Sequence, residues 1–117
     1  MLPRRTCVIV GGAKGEGSLL AEKYAGQGYI IAFMDIDKEA GRSLKEKIEH
    51  GHGGNVFFFH GDANSEEDLE LFAGAVIGQY NKIDCLYYRK DIAEGADQIE
   101  ELMSRNLKKG GTIEAYH

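Results

Sequence analysis

Positive charge is scarce in this chain: lysine and arginine number 14 against 19 aspartates and glutamates, giving a formal net charge of −5 and a pI near 5.3. Nucleic acid and anionic membrane both demand concentrated positive charge, so neither is expected as a partner. Arg4-Arg5 and Lys108-Lys109 are isolated basic pairs, read most simply as solvated ends of elements. Long apolar runs are also missing. No stretch is long enough to span a bilayer, and Met1-Leu2-Pro3-Arg4-Arg5 lacks the apolar centre of a signal peptide. A cytoplasmic location is the resulting expectation.

Cysteine is equally sparse. Cys7 and Cys85 each sit inside an apolar run rather than in a C-x-x-C or ligand-like cluster, which predicts buried free thiols and suits a reducing compartment. His50 and His52 fall in the loop His50-Gly51-His52-Gly53-Gly54 without a third ligand nearby, so no metal centre is expected. No linker or low-complexity tract interrupts the 117 residues, which are 43% hydrophobic and 28% charged. That length can bury a real core but leaves no room for a second domain.

What is present is a glycine cluster, Gly11-Gly12-Ala13-Lys14-Gly15-Glu16-Gly17, placed between the apolar run Thr6-Cys7-Val8-Ile9-Val10 and a helical pattern. Strand, glycine turn and helix N-terminus in that order make a phosphate cradle, because glycine permits the tight turn and lets an anion approach the free amides and the positive end of the helix dipole. Glycines 11, 15 and 17 give G-x-x-x-G-x-G. The G-x-G-x-x-G order is absent, and Ser18 stands where the Walker A pattern needs lysine, so a P-loop NTPase is not expected. With 16 glycines in the chain, the spacing alone is also compatible with an ordinary structural turn.

The context adds to it. Leu19, Leu20, Lys23 and Tyr24 lie at helical spacing, Gly26-Gln27-Gly28 closes the helix, and the buried run Tyr29-Ile30-Ile31-Ala32-Phe33-Met34 stops at Asp35. A carboxylate there is where a dinucleotide-binding βαβ unit holds the adenine ribose. Alternatively, Asp35 or Asp37 caps the helix that starts near Lys38. Continuing along the chain predicts strands near 6–10, 29–34, 55–60, 83–88 and 111–116, and helices near 16–27, 38–50, 65–80 and 93–107. Strands as apolar as Val56-Phe57-Phe58-Phe59 suit a parallel sheet covered on both faces. Right-handed crossovers then give a three-layer, doubly wound α/β fold with strand order 3-2-1-4-5, in which the cradle borders the topological switch point.

These residues resemble the short-chain dehydrogenase/reductase family. Val8-Ile9-Val10-Gly11 through Gly17 looks like its glycine motif, and Met34-Asp35-Ile36-Asp37 through Arg42 is similar to its second strand and following helix. His60-Gly61-Asp62-Ala63-Asn64 resembles its adenine-contacting segment, and Asn81-Lys82-Ile83-Asp84-Cys85-Leu86 resembles the start of its fourth strand. The resemblance covers about two-thirds of the chain and implies that residues 1–117 are a single truncated dinucleotide-binding Rossmann domain. It implies cofactor contacts at Gly11, Lys14, Gly15, Glu16, Gly17, Asp35, Ile36, Asp62 and Ala63. Ile36 would pack on the adenine or on the sheet, and Asp62 doubles as a turn residue before a capping-box pattern, Ser65-x-x-Asp68.

Departures from the family shape the functional expectation. Its Asn-Asn-Ala-Gly motif falls on Tyr88-Arg89-Lys90-Asp91 without a match, no Tyr-x-x-x-Lys occurs, and the residues of the family's substrate half are absent. No catalytic residue is therefore expected; Tyr87, Tyr88, Lys90 and His117 are weak substitutes, since a phenol needs a fixed neighbouring cation to become acidic. Glu16 stands where the family has an apolar residue, and a carboxylate at the helix N-terminus competes with a pyrophosphate, so weak or abolished binding is anticipated. Lys14 would favour the 2′-phosphate of NADP and Asp35 would oppose it, which tips the expectation toward NAD. Three classes follow: a dinucleotide-binding module without catalytic machinery, an oxidoreductase completed by a partner chain, and an interaction domain that lost its ligand. An exposed fifth strand carrying Ile113 and Tyr116 on its edge, or the helix before it, would supply a homodimer interface.

Overall fold

The computed structural model describes residues 5–52, 55–80, 82–89, 99–101, 104 and 107–116. Five parallel strands form one sheet: β1 (Thr6–Val10), β2 (Ile30–Asp35), β3 (Val56–His60), β4 (Ile83–Arg89) and β5 (Leu107–Tyr116). Their order is β3-β2-β1-β4-β5, the doubly wound arrangement expected from the alternating pattern. Three helices connect them, α1 (Gly15–Gly26), α2 (Lys38–His52) and α3 (Glu66–Tyr80), and residues 99–101 and 104 are helical as well. The rest of the helix predicted over 93–107 lies largely outside the described residues.

Strand periodicity divides the core between the two faces of the sheet. Cys7, Ile9, Ile31 and Phe33 face α1 and α2, where Ala21, Ala25, Leu44 and Ile48 meet them. Val8, Val10, Ala32 and Met34 face the other way, against Leu69, Phe72, Ala73 and Val76 of α3. β1 is buried on both faces, which explains why its sequence is a continuous apolar run rather than an alternation. Two of these helices, α2 and α3, start where side chains take up orphan amides. Asp37 Oδ1 accepts from Ala40 N–H at 3.0 Å at the head of α2, and Ser65 Oγ accepts from Asp68 N–H at 3.2 Å at the head of α3. Cys7 and Cys85 are buried free thiols opposite each other on β1 and β4.

Two expectations about β5 change. The strand begins at Leu107 rather than 111, because the segment Lys108 to Gly111 bulges out of the β4 ladder instead of continuing a helix. Tyr116 does not hang on an open edge. It is 6% exposed, packed in the core beside Tyr87 and Ala21, with its hydroxyl turned toward the glycine loop. Ile113 is partly buried against the α3 side.

Candidate functional site at the carboxyl end of the sheet

β1, β2 and β4 end at the same rim, and parallel α/β sheets bind ligands at this rim where the strand order reverses. Here β1 is the strand from which the chain departs in both directions, to β2 on one side and β4 on the other. The loop after it is held by internal hydrogen bonds. Gly11 N–H donates to the Met34 carbonyl at 2.7 Å, and Ala13 N–H donates to Asp35 Oδ2 at 3.0 Å. From the other side, the Tyr116 hydroxyl donates to the Gly11 carbonyl at 2.5 Å. Gly15 and Glu16 at the head of α1 are exposed, whereas Gly17 is buried. Lys14 occupies the N-cap position of α1 without a side-chain hydrogen bond to the first turn, so no side chain of its own fills the cradle.

Gly17 is required for close approach. A Cβ there would stand 2.5 Å from the Tyr116 hydroxyl and 2.8 Å from Gly12 Cα, so α1 could not sit this near the strands with any side chain at that position. Gly15 is exposed at the helix start.

Asp35 stands at the end of β2, 7% exposed, and both of its oxygens are engaged: Oδ2 by Ala13 N–H and Oδ1 by Asp37 N–H at 2.9 Å. It straps the strand end to the glycine loop, and a carboxylate oxygen with one donor retains a second lone pair for a ligand hydroxyl. The helix-capping role belongs to Asp37. The Asp37 carboxylate also takes the Lys14 ammonium at 2.6 Å, so the predicted phosphate ligand Lys14 is already paired. The backbone bond from Ala40, joined by Lys14, holds the Asp37 carboxyl below its ordinary range, and Asp37 holds the Lys14 ammonium above its own.

Gly11, Asp35, Ile36, Asp62 and Ala63 surround one notch of about 90 Å³, with Arg89 on its wall. Residues at or just past the ends of β1, β2 and β3 thus line one notch. A notch this small takes one end of an extended ligand, not the whole of it. Ile36 is 63% exposed and does not pack on the sheet. Asp62 forms an Asx turn, its Oδ1 accepting from Asn64 N–H at 2.9 Å, while its own N–H donates to Asp68 Oδ2 at 2.8 Å. Glu16 is placed differently: its exposed side chain lines a separate groove between α1 and β5 with Leu20, Lys23, Tyr87 and Glu114. Sequence reasoning missed Tyr116 and Asp37 as parts of this site. A tyrosine 105 residues from the loop it holds leaves no spacing signal.

The alternative proton donors have other partners. Tyr87 shares a 2.5 Å hydrogen bond with the Tyr24 hydroxyl, and burial with that bond pushes its phenol upward, opposite to what an acid at neutral pH requires. Tyr88 donates to Glu100 at 2.9 Å. Lys90, Asp91 and His117 lie outside the described residues. Among the described residues, no group of three potential ligands is placed to hold a metal, and no helix is long and apolar enough to cross a membrane.

A doubly wound sheet with a glycine cradle and an acidic residue at the end of β2 defines a Rossmann-type α/β protein. Residues 5–111 match the short chain dehydrogenase family, and the chain belongs to it. It is 30% identical over 105 residues to human 3-hydroxyacyl-CoA dehydrogenase type-2, covering 90% of this chain and 36% of that protein. It is 31% identical over 100 residues to cis-2,3-dihydrobiphenyl-2,3-diol dehydrogenase of Paraburkholderia xenovorans, covering 86% and 35%. The structure superposes on an alcohol dehydrogenase from Thermococcus sibiricus, solved with 5-hydroxy-NADP, with a TM-score of 0.88 and 18% identity over 97% of this chain and 57% of that one. NAD+-bound xylitol dehydrogenase gives 0.78 and 22%, covering 87% and 47%. The chain therefore spans well under two-thirds of the length of these relatives.

Proposed function

We propose that the rim of β1, β2 and β4 binds a dinucleotide, with the pyrophosphate on the first-turn amides of α1 at Gly15, Glu16 and Gly17. Its adenosine end would lie in the notch of Asp35, Ile36, Asp62 and Ala63. The observation that carries this reading is Ile36, a large apolar side chain left 63% exposed beside a notch lined by carboxylates, as an adenine ring would require of it. The relatives solved with NAD+ and with an NADP derivative support the ligand class. NAD is preferred over NADP, because Asp35 faces the ribose corner and the Lys14 ammonium is already committed to Asp37.

In this reading the chain itself contributes binding and no catalytic residue. The second reading, an oxidoreductase whose proton donor and substrate pocket come from further polypeptide, is supported by family membership together with the short span of its relatives that the chain matches. The third, an interaction domain, rests on the carboxylate of Glu16 at the head of α1, and it is weakened by the placement of that exposed side chain along the groove between α1 and β5 rather than in the notch. A homodimer through the β5 edge and a cytoplasmic location complete the proposal, the latter supported by two buried free thiols. Calorimetric titration of NAD, NADH, NADP and NADPH against the native chain and Glu16→Ile tests it. The expected result is saturable binding with NAD forms tighter than NADP forms. No binding by either chain contradicts the reading and leaves the interaction domain; monomeric elution at high concentration contradicts the dimer.

A further inference from the structure

The opposite end of the sheet carries a larger cavity, about 510 Å³, at the amino ends of β1, β4 and β5. It collects the two basic segments that the sequence holds apart. Arg5 precedes β1, Lys108 and Lys109 lie at the start of β5, and all three line this one cavity. Among the described residues that line it, one carboxylate stands against these three cations, Asp84, whose oxygens are both occupied: Oδ2 accepts from Thr6 N–H at 2.7 Å, and Oδ1 lies 3.5 Å from the Lys108 ammonium. On a chain of net charge −5, this is a local concentration of positive charge facing a space of ligand size.

The cations are brought there by a built irregularity. Ile83 pairs with Leu107 and Cys85 with Thr112, so two steps along β4 are matched by five along β5. The surplus residues lift out of the ladder and carry Lys108 and Lys109 over the start of β4. Bulges of this kind re-aim side chains beside functional sites. The Gly110-Gly111 pair makes the bulge: Gly110 has φ +85°, and a Cβ on Gly111 would lie 2.9 Å from the Asp84 carbonyl and 2.8 Å from Leu107 Cγ. On the facing wall, Tyr24 and Tyr29 stand edge to face with ring centroids 4.9 Å apart, and the Arg5 guanidinium is held by the Tyr29 hydroxyl at 3.3 Å. Guanidinium, two ammoniums and aromatic rings suit a dianion attached to a planar group.

We propose that this cavity binds a small phosphate monoester bearing an aromatic group, at a site separate from the dinucleotide rim. One length of β1 separates the two, about 17 Å for five residues at about 3.3 Å each. The test is titration of the full chain with phenyl phosphate and with inorganic phosphate at low ionic strength, followed by calorimetry and tyrosine fluorescence; the chain has no tryptophan to mask the signal. The expected result is saturable binding, phenyl phosphate at least tenfold tighter than inorganic phosphate, and weakening with added salt. The Arg5→Ala/Lys109→Ala variant, which keeps the Lys108–Asp84 pair, should bind at least tenfold more weakly, and Glu16→Ile should bind as the native chain does. Lys109→Glu, at an exposed position, gives the same comparison with one change should the double variant fold poorly. Absence of saturable binding, native-like binding by both amino-end variants, equal affinity for the two phosphates, or displacement by NAD would each overturn the proposal.

Discussion

The two ends of the sheet are built on opposite plans. At the carboxyl end several residues around the candidate site are also structural ties. Asp35 bonds the glycine loop, Tyr116 holds the Gly11 carbonyl, Gly17 sets the depth of α1, and Lys14 is closed onto Asp37. At the amino end, Arg5 and Lys109 are exposed charges on a wide cavity, and the structural work is left to Gly110, Gly111 and the Asp84 carboxylate. Substitutions should therefore trade binding against stability at one end and separate the two at the other.

The largest effect expected is at Gly17. Gly17→Val drives a branched side chain into the Tyr116 hydroxyl and the Gly12 backbone, and should destabilise the fold by about 1–3 kcal/mol while abolishing dinucleotide binding. Urea unfolding and NAD titration of one preparation check both halves. Tyr116→Phe follows: losing the bond to the buried Gly11 carbonyl should cost about 1 kcal/mol and loosen dinucleotide binding, with the phosphate response at the other end unchanged. Unaltered stability in that variant would break the claim that the cradle is held from β5.

A smaller effect is expected from pH. Asp37 is held below its ordinary value in the folded state, so its contribution is present at neutral pH and is lost as pH falls below about 4, through its folded value. Lys14, raised by the same pairing, contributes below its ordinary value and loses that contribution as pH rises past about 10.4. The protection of the Ala40 amide, relative to its intrinsic exchange rate at each pH, should fall on the acid side in the native chain and show no such step in Asp37→Asn. The smallest effect is at the amino end: Arg5→Ala/Lys109→Ala should leave the thermal midpoint where it was and still lose phosphate binding. A matching loss of stability would erase the contrast between the two ends.

What the sequence made legible follows the same division. The strand order, the three helices between described strands and the convergence of Gly11, Asp35, Ile36, Asp62 and Ala63 could be read in advance, because each depends on local periodicity and on residues at the ends of consecutive elements. The residue pattern leaves capping open between Asp35 and Asp37, and only three-dimensional placement separates a buried strap from a helix cap. Tyr116 reads as an edge residue from its place on the last strand; in the structure β5 is the edge strand, but this ring turns inward and fills space beside Gly17 that only a glycine leaves. Arg5 and Lys108 read as solvated pairs because no spacing rule joins residues at opposite ends of a chain. Their meeting depends on β5 lying beside β4 and on a bulge whose only local sign is Gly110-Gly111.

The most direct test is an amide chemical-shift map recorded on one sample titrated first with NAD and then with phenyl phosphate. NAD should move the amides of Gly15, Glu16, Gly17 and Ile36, and phenyl phosphate those of Arg5 and Lys108 through Thr112, with neither set disturbing the other. A single shared set of shifts, or NAD shifts confined to the amino end, would contradict the account of two separate sites and of the glycine cradle as the place where the dinucleotide binds.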